Sequence, residues 1–96
     1  MILNFGDRGI EDLFHGNDTK AARGISRSIW KAAIVRLDAL DGASALQDLK
    51  FPPGNRLEAL RGKLSGFHSI RINDQFRIIF RWSDGNARDV EITDYH

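Results

Sequence analysis

The chain closes on Asp94-Tyr95-His96, a carboxylate, a phenol and an imidazole in succession. An imidazole changes charge near neutral pH and can take or give a proton. A phenol can donate, accept or lie against a flat ring, and a carboxylate can orient the imidazole or shape a pocket. Before them, Arg71, Arg77 and Arg81 recur at odd positions along two adjacent apolar-polar stretches, and Arg61 and Lys63 lead into that region. Guanidinium forks match the geometry of a phosphate and stabilise charge that builds on it during reaction. This is the equipment for cutting a phosphodiester whose own 2′-hydroxyl attacks phosphorus: one group to take the 2′ proton, one to protonate the leaving 5′ oxygen, and cations around the phosphate. The same residues have plainer uses. A terminal tripeptide can be a frayed tail, and the arginines can pair with Asp89 and Glu91 on a neighbouring strand.

Other chemistries are absent from the sequence. It has no cysteine, and His15, His68 and His96 show no metal-ligand spacing. No phosphate-cradling glycine motif is present either, so neither a metal nor a cofactor is expected.

The elements that must position these residues follow from periodicity. Asp7 is a plausible cap for a short helix to Phe14, with Ile10, Leu13 and Phe14 on its apolar face. Residues 15–24 are polar with two glycines and read as a loop, expected to be the least ordered part. Trp30, Ala33, Ile34, Leu37 and Leu40 recur at helical spacing, predicting a helix over 25–40 with Gly42 just past its end. Ser44-Ala45-Leu46-Gln47 matches a capping box for a further short helix to about Lys50. Pro52-Pro53-Gly54-Asn55 ends the helical half.

From there the chain reads as strands. A short one is possible within 56–61, a turn at 62–66, and strands at 67–72 and 75–82 around a two-residue turn at Asn73-Asp74. Asp84-Gly85 makes a second turn into a last strand marked by Val90 and Ile92. Ile70, Ile72, Phe76, Ile78, Phe80 and Trp82 define the core parity, leaving the odd arginines facing outward. The expected fold class is α+β: an N-terminal strand and two to three helices on an antiparallel meander.

Size and charge bound the rest. At 96 residues, with 42% apolar and 28% charged residues, the chain suits one globular domain over residues 1–96 and not a disordered segment. No apolar run approaches the ~20 residues of a membrane span, and no signal-peptide core is read near the start. With no cysteine, a reducing cytoplasm is the expected location. The net charge of +1 hides a gradient: Lys50 to Arg81 carries seven Lys/Arg against Glu58 and Asp74. A basic stretch of this kind suits a polyanion, though a solvated arginine-rich face would have the same composition.

Two blocks carry a family resemblance: FPPGNRLEALRG at Phe51–Gly62, and HSIRINDQFRIIFRW from His68 with the closing VEITDYH at Val90–His96. Through them the chain resembles the HigB branch of the RelE-like toxins of bacterial type II toxin–antitoxin modules, and in particular its GraT-type members. The resemblance implies a RelE-like fold and a ribosome-dependent messenger-RNA endonuclease, working in the A site of the small subunit and halting translation. It implies a HigA-like helix-turn-helix antitoxin as partner, with operator DNA bound only through their complex. By position, Asp94, Tyr95 and His96 match the family's functional C-terminus, Arg77 its strand arginine and Arg61 a Lys/Arg position; Arg71 is a weaker match. Where this chain has Glu58 some members have histidine, so the proton acceptor is left open between Glu58 and His96. Two alternatives share the scaffold: a non-catalytic module that binds RNA or antitoxin, and an operon co-regulator.

Overall fold

The computed structural model describes residues 1–94. Asp7 opens helix α1 (Arg8–Phe14), its Oδ1 accepting from the Ile10 amide at 3.0 Å, which satisfies one of the first-turn donors that a helix leaves without an internal partner. The loop that follows is closed by its own side chains. Thr19 Oγ1 donates to Asp12 Oδ2 at 2.7 Å, and Asp18 receives Arg23 and Arg27 at 3.2 and 3.0 Å. Ala22, within it, is fully buried.

The second helix, α2 (Trp30–Gly42), starts later than its periodicity predicts. Two 3₁₀ turns, Ala22–Gly24 and Arg27–Ile29, precede it. The reason is a side chain: Trp30 Nε1 donates to the Ile25 carbonyl at 2.9 Å, claiming the acceptor a helix beginning there would give to a backbone amide. Gly42, expected just beyond the helix, is its last residue. The short helix after it is also 3₁₀, Leu46–Lys50. Its cap is not the predicted Ser44–Gln47 pair. Asp48 Oδ2 accepts from the amides of both Ser44 and Ala45 at 3.0 Å, a carboxylate one residue further on doing the work of an amide side chain.

Four strands form one antiparallel sheet in chain order: β1 (Glu58–Ala59), β2 (Phe67–Arg71), β3 (Phe76–Ser83) and β4 (Asn86–Asp94). The β3–β4 turn is the predicted one. Asp84 and Gly85 take φ of 53° and 76°, the pair of positive values that a two-residue turn needs to match strand twist. The β2–β3 turn differs from expectation: Ile72 N donates to the Phe76 carbonyl at 2.9 Å, leaving three residues in the loop. Asn73 Oδ1 accepts from the amides of Gln75 and Phe76 at 2.9 and 2.8 Å, so its side chain substitutes for the backbone of a tighter turn. On the outer side of β4 the first residues run parallel, bridging at Ile2–Ala87 and Phe5–Val90.

A bulge in β4 decides which residues face where. Ile79 pairs with Glu91 but Arg81 pairs with Arg88, so β4 carries one extra residue, and Asp89 within it has φ of 52°. Asn4 brackets it on one side, donating from Nδ2 to Asp89 Oδ1 at 2.9 Å and accepting from the Asp89 amide at 3.1 Å; Arg81 stands on the other at 3.5 Å. Because of this step, Ala87 and Val90 both reach the core despite opposite parity.

The core lies between the helices and the even face of the sheet. Ile10 and Leu13 of α1, Ala33, Leu37 and Leu40 of α2, Ile29 and Leu49 pack on Ile70, Ile78, Phe80, Ala87 and Val90. Among the described residues no helix is long and apolar enough to cross a membrane.

Candidate functional site

The other face of the sheet was expected to be a solvated row of arginines. Arg81 is exposed, but Arg77 is not. Arg77 is only 7% exposed and its neighbour in parity, Ile79, 5%. A charged side chain is rarely this buried without partners. Arg77 Nη1 donates to Ser69 Oγ at 3.0 Å, itself fully buried, and lies 3.6 Å from Glu58 Oε2. The register explains the meeting: Glu58 stands opposite Ser69 across β1–β2, and Ser69 opposite Ile79 across β2–β3. Thr93 stands opposite Arg77 on the far side.

Ser69, Arg77 and Thr93 line an open cleft of about 220 Å³, walled also by Leu60, Leu64, Ile79 and Asp94. That is below the ~300–1,000 Å³ typical of pockets for small molecules, and fits a segment of chain laid across it better than an engulfed ligand. Apolar walls lower the local dielectric and strengthen the field of a guanidinium at the floor. The β1–β2 connection forms one lip through Leu60 and Leu64, and it carries Arg61 and Lys63 exposed at the rim. Asp94, at the end of β4, accepts from Gln75 Nε2 at 3.0 Å.

The structure therefore brings Arg77 and Asp94 to one cleft, with Glu58 paired to Arg77 from β1 and Arg61 and Lys63 exposed in the connection that carries Leu60 and Leu64. Two expected members lie elsewhere. Arg71 is directly opposite Arg77 in register, but its Nη2 donates to Asp74 in the β2–β3 loop. Like charges facing each other across strands are unfavourable, and giving each arginine its own carboxylate separates them. Arg81 lies over the Phe67 ring at 4.3 Å and pairs with Asp89 rather than lining the cleft. The ion pairing weighed as the plainer use of the arginines thus occurs at Asp89. Glu91 instead packs on Gly6, where an added Cβ would come within 2.2 Å of Glu91 Cγ. Tyr95 and His96 lie outside the described residues. Ser69 and the Leu60–Leu64 lip were not anticipated; the parity Ser69 shares with Arg71 was the only signal, and a strand serine has no distinctive pattern.

A larger cavity, about 560 Å³, lies between the start of α1, residues 21–26 and the side chains of Phe76 and Ile92. It holds Asp7, Arg23 and Ser26 but none of the cleft residues.

Two helices on a four-stranded antiparallel meander is the architecture of RelE-like toxins. Solved structures agree. A chain of the heterotetrameric YoeB–YefM toxin–antitoxin complex from Staphylococcus aureus superposes with a TM-score of 0.60 at 18% identity, over 100% of this chain and 98% of that one. YafQ from Escherichia coli BL21(DE3) gives 0.56 at 10% identity, over 99% and 94%. Within that class, the family model described as the RelE-like toxin of type II toxin–antitoxin system HigB matches residues 3–96. The chain is 47% identical over 87 residues to Toxin HigB-1 of Vibrio cholerae serotype O1, covering 91% of this chain and 90% of the relative. It is 29% identical to Endoribonuclease HigB of Proteus vulgaris over the whole of both. The chain belongs to the HigB-like family of type II toxins.

Proposed function

We propose that the chain is a ribosome-dependent messenger-RNA endonuclease that cleaves in the A site without a metal and so arrests translation in the cytoplasm, until a HigA-like helix-turn-helix antitoxin neutralises it. The observation that carries this reading is the buried guanidinium of Arg77, held at the floor of an open cleft with a carboxylate, Glu58, at 3.6 Å. The family and the Proteus vulgaris endoribonuclease support the activity. The YoeB–YefM complex supports an antitoxin partner. Operator DNA would then be bound only through the toxin–antitoxin complex.

In the proposed reaction the scissile phosphate sits over Arg77, with Arg61 and Lys63 at the rim drawing in the flanking backbone. Glu58 takes the proton of the 2′-hydroxyl as the 2′ oxygen bonds to phosphorus. His96 gives a proton to the 5′ oxygen as the P–O5′ bond breaks, leaving a 2′,3′-cyclic phosphate and a 5′-hydroxyl. Tyr95 stacks on the codon and Asp94 orients the end of β4. So sparse a site leaves positioning of the codon to the ribosome, and free RNA is cut negligibly.

Mapping RNA ends after induction tests the reading. New 5′-hydroxyl ends within codons, together with growth arrest relieved by His96→Ala or by co-expressing the antitoxin, are the expected result. Harmless expression with no new ends would favour a non-catalytic binding module, and equal cutting of naked RNA would sink ribosome dependence. A message with bridging sulfur at the 5′ position separates acid from base. Its leaving group departs without protonation, so it restores cleavage by His96→Ala and not by Glu58→Gln.

A further inference from the structure

Phe51 is 73% exposed, the most exposed large apolar side chain among the described residues. One exposed apolar residue is ordinary by itself. What is unusual is the construction beneath it. The loop is anchored at both ends, by Leu49 at 2% and Asn55 at 1% exposure, while Lys50 through Gly54 all face solvent. Asn55 Nδ2 donates to the carbonyls of Leu49 and Phe51, at 3.2 and 3.1 Å, tying the buried anchor to the backbone that carries the ring. The Asn55 amide donates to the Pro52 carbonyl at 3.0 Å and that of Arg56 to Pro53 at 3.2 Å. Two prolines fix φ on the way round. The aromatic ring adds little packing to the fold, yet its backbone is set in place before any partner arrives, which lowers the ordering cost of binding.

Charge indicates the partner. Leu49 to Leu57 contains Lys50 and Arg56, both exposed, and no carboxylate. The carboxylates on either side are engaged: Asp48 accepts from the Ser44 and Ala45 amides, and Glu58 pairs with Arg77. A flat apolar ring between two unopposed cations matches single-stranded nucleic acid, whose bases stack on aromatics while its phosphates take the charge. The chain also fixes how near this lies to the cleft. Arg56 to Glu58, the carboxylate paired with the cleft's Arg77, is two residues, at most about 7 Å of extended backbone, so one strand can touch both.

We infer that Phe51 is a stacking platform for a base of the same messenger strand, flanking the bond to be cut, with Lys50 and Arg56 holding the adjoining phosphates. This rests on the RNA-cleaving reading above and adds a second contact to it. Its contribution is to binding of the message and not to the reacting atoms.

The test is cleavage of synthetic messages on programmed ribosomes by Phe51→Ala, Phe51→Leu and Phe51→Trp, with thermal midpoints as the control for folding. Loss of one stacked base corresponds to a rise in KM of about tenfold, so Phe51→Ala is expected to raise KM by that factor with kcat unchanged. Phe51→Leu behaves like Ala, because it lacks a π face, and Phe51→Trp restores binding. Abasic nucleotides placed one at a time around the scissile bond locate the partner: at one position the abasic loss and the Phe51→Ala loss fail to add. Wild-type KM in Phe51→Leu, or additivity at every position, overturns the platform while leaving the nuclease intact. Weaker antitoxin binding by Phe51→Ala with unchanged KM reassigns the loop to protein contact and also overturns it. If wild-type protein cuts no message on ribosomes, the nuclease reading falls and the platform with it.

Discussion

The two faces of the β2–β3–β4 sheet are both buried, but by different means. On the even face Ile70, Ile78, Phe80 and Val90 meet helical side chains and need no specific partner, since burial of apolar surface is non-directional. On the odd face Ser69, Arg77 and Ile79 are as hidden, yet among the described residues neither α1 nor α2 lines their cleft; the 60–64 connection and cross-strand partners do. The first face tolerates any well-shaped apolar set. The second depends on particular atoms, because a buried guanidinium deprived of its acceptors costs more than the pair is worth in stability. One face makes the fold and the other makes an electrostatic site from it.

Substitutions can break that contrast at either face. The largest effect expected is for Phe80→Ala on the core face, which removes a fully buried ring. A loss of about 3–5 kcal/mol is a large part of the ~5–15 kcal/mol available to a domain, and calorimetry should show a midpoint lowered by on the order of 20 °C. Next comes Arg77→Met on the cleft face. It keeps much of the side-chain volume, so the fold persists by circular dichroism, while cleavage on ribosomes falls by about 10²–10³-fold. If Arg77→Met lost stability and activity in the same proportion as Phe80→Ala, the two faces would not be functionally distinct.

The bulge keeps the faces in phase. At Asp89 the backbone is left-handed, where a side chain unable to bond locally costs about 1–2 kcal/mol. Asp89→Ala should therefore lower the chemical-denaturation midpoint, and Asp89→Gly should lower it less, although both lose the bond from Asn4 Nδ2 to the carboxylate and keep the one from the residue-89 amide to Asn4 Oδ1. Ser69→Ala is expected to cost about 1 kcal/mol and a several-fold drop in cleavage, because one Arg77 N–H loses its acceptor. The smallest effect is at Asp18→Asn, far from both faces. The hydrogen bond from Arg27, with help from Arg23, holds the Asp18 carboxyl below its ordinary value of 3.8. A depressed carboxylate stabilises the fold above that pH and loses its contribution as pH falls through the lowered value. A slight deficit of Asp18→Asn in melts at neutral pH should accordingly vanish in strong acid.

What could be read in advance was what short-range chemistry controls. Asp7 as a cap and Asp84-Gly85 as a turn depend on neighbours within four residues, and both form as predicted. Asn73 misled because its side chain, and not its backbone, closes the turn. Asp48 was passed over because an amide at Gln47 fitted the capping pattern better than the carboxylate beside it. At the site, residue types were informative and environments were not: Arg77 was singled out, but as an exposed cation.

By itself the sequence determined the alternation of β3, hence which face joins the helices, and the basic stretch that a polyanion would meet. Only the tertiary structure decided that Arg77 is buried, that Glu58 is its carboxylate while Arg71 and Arg81 take Asp74 and Asp89, and that Ser69 completes the floor. The reason is range. Alternation is a property of one strand, whereas the Glu58–Arg77–Ser69 and Arg81–Asp89 contacts depend on register across the strands and on one extra residue in β4. Those are set by the summed packing of the whole sheet against its helices.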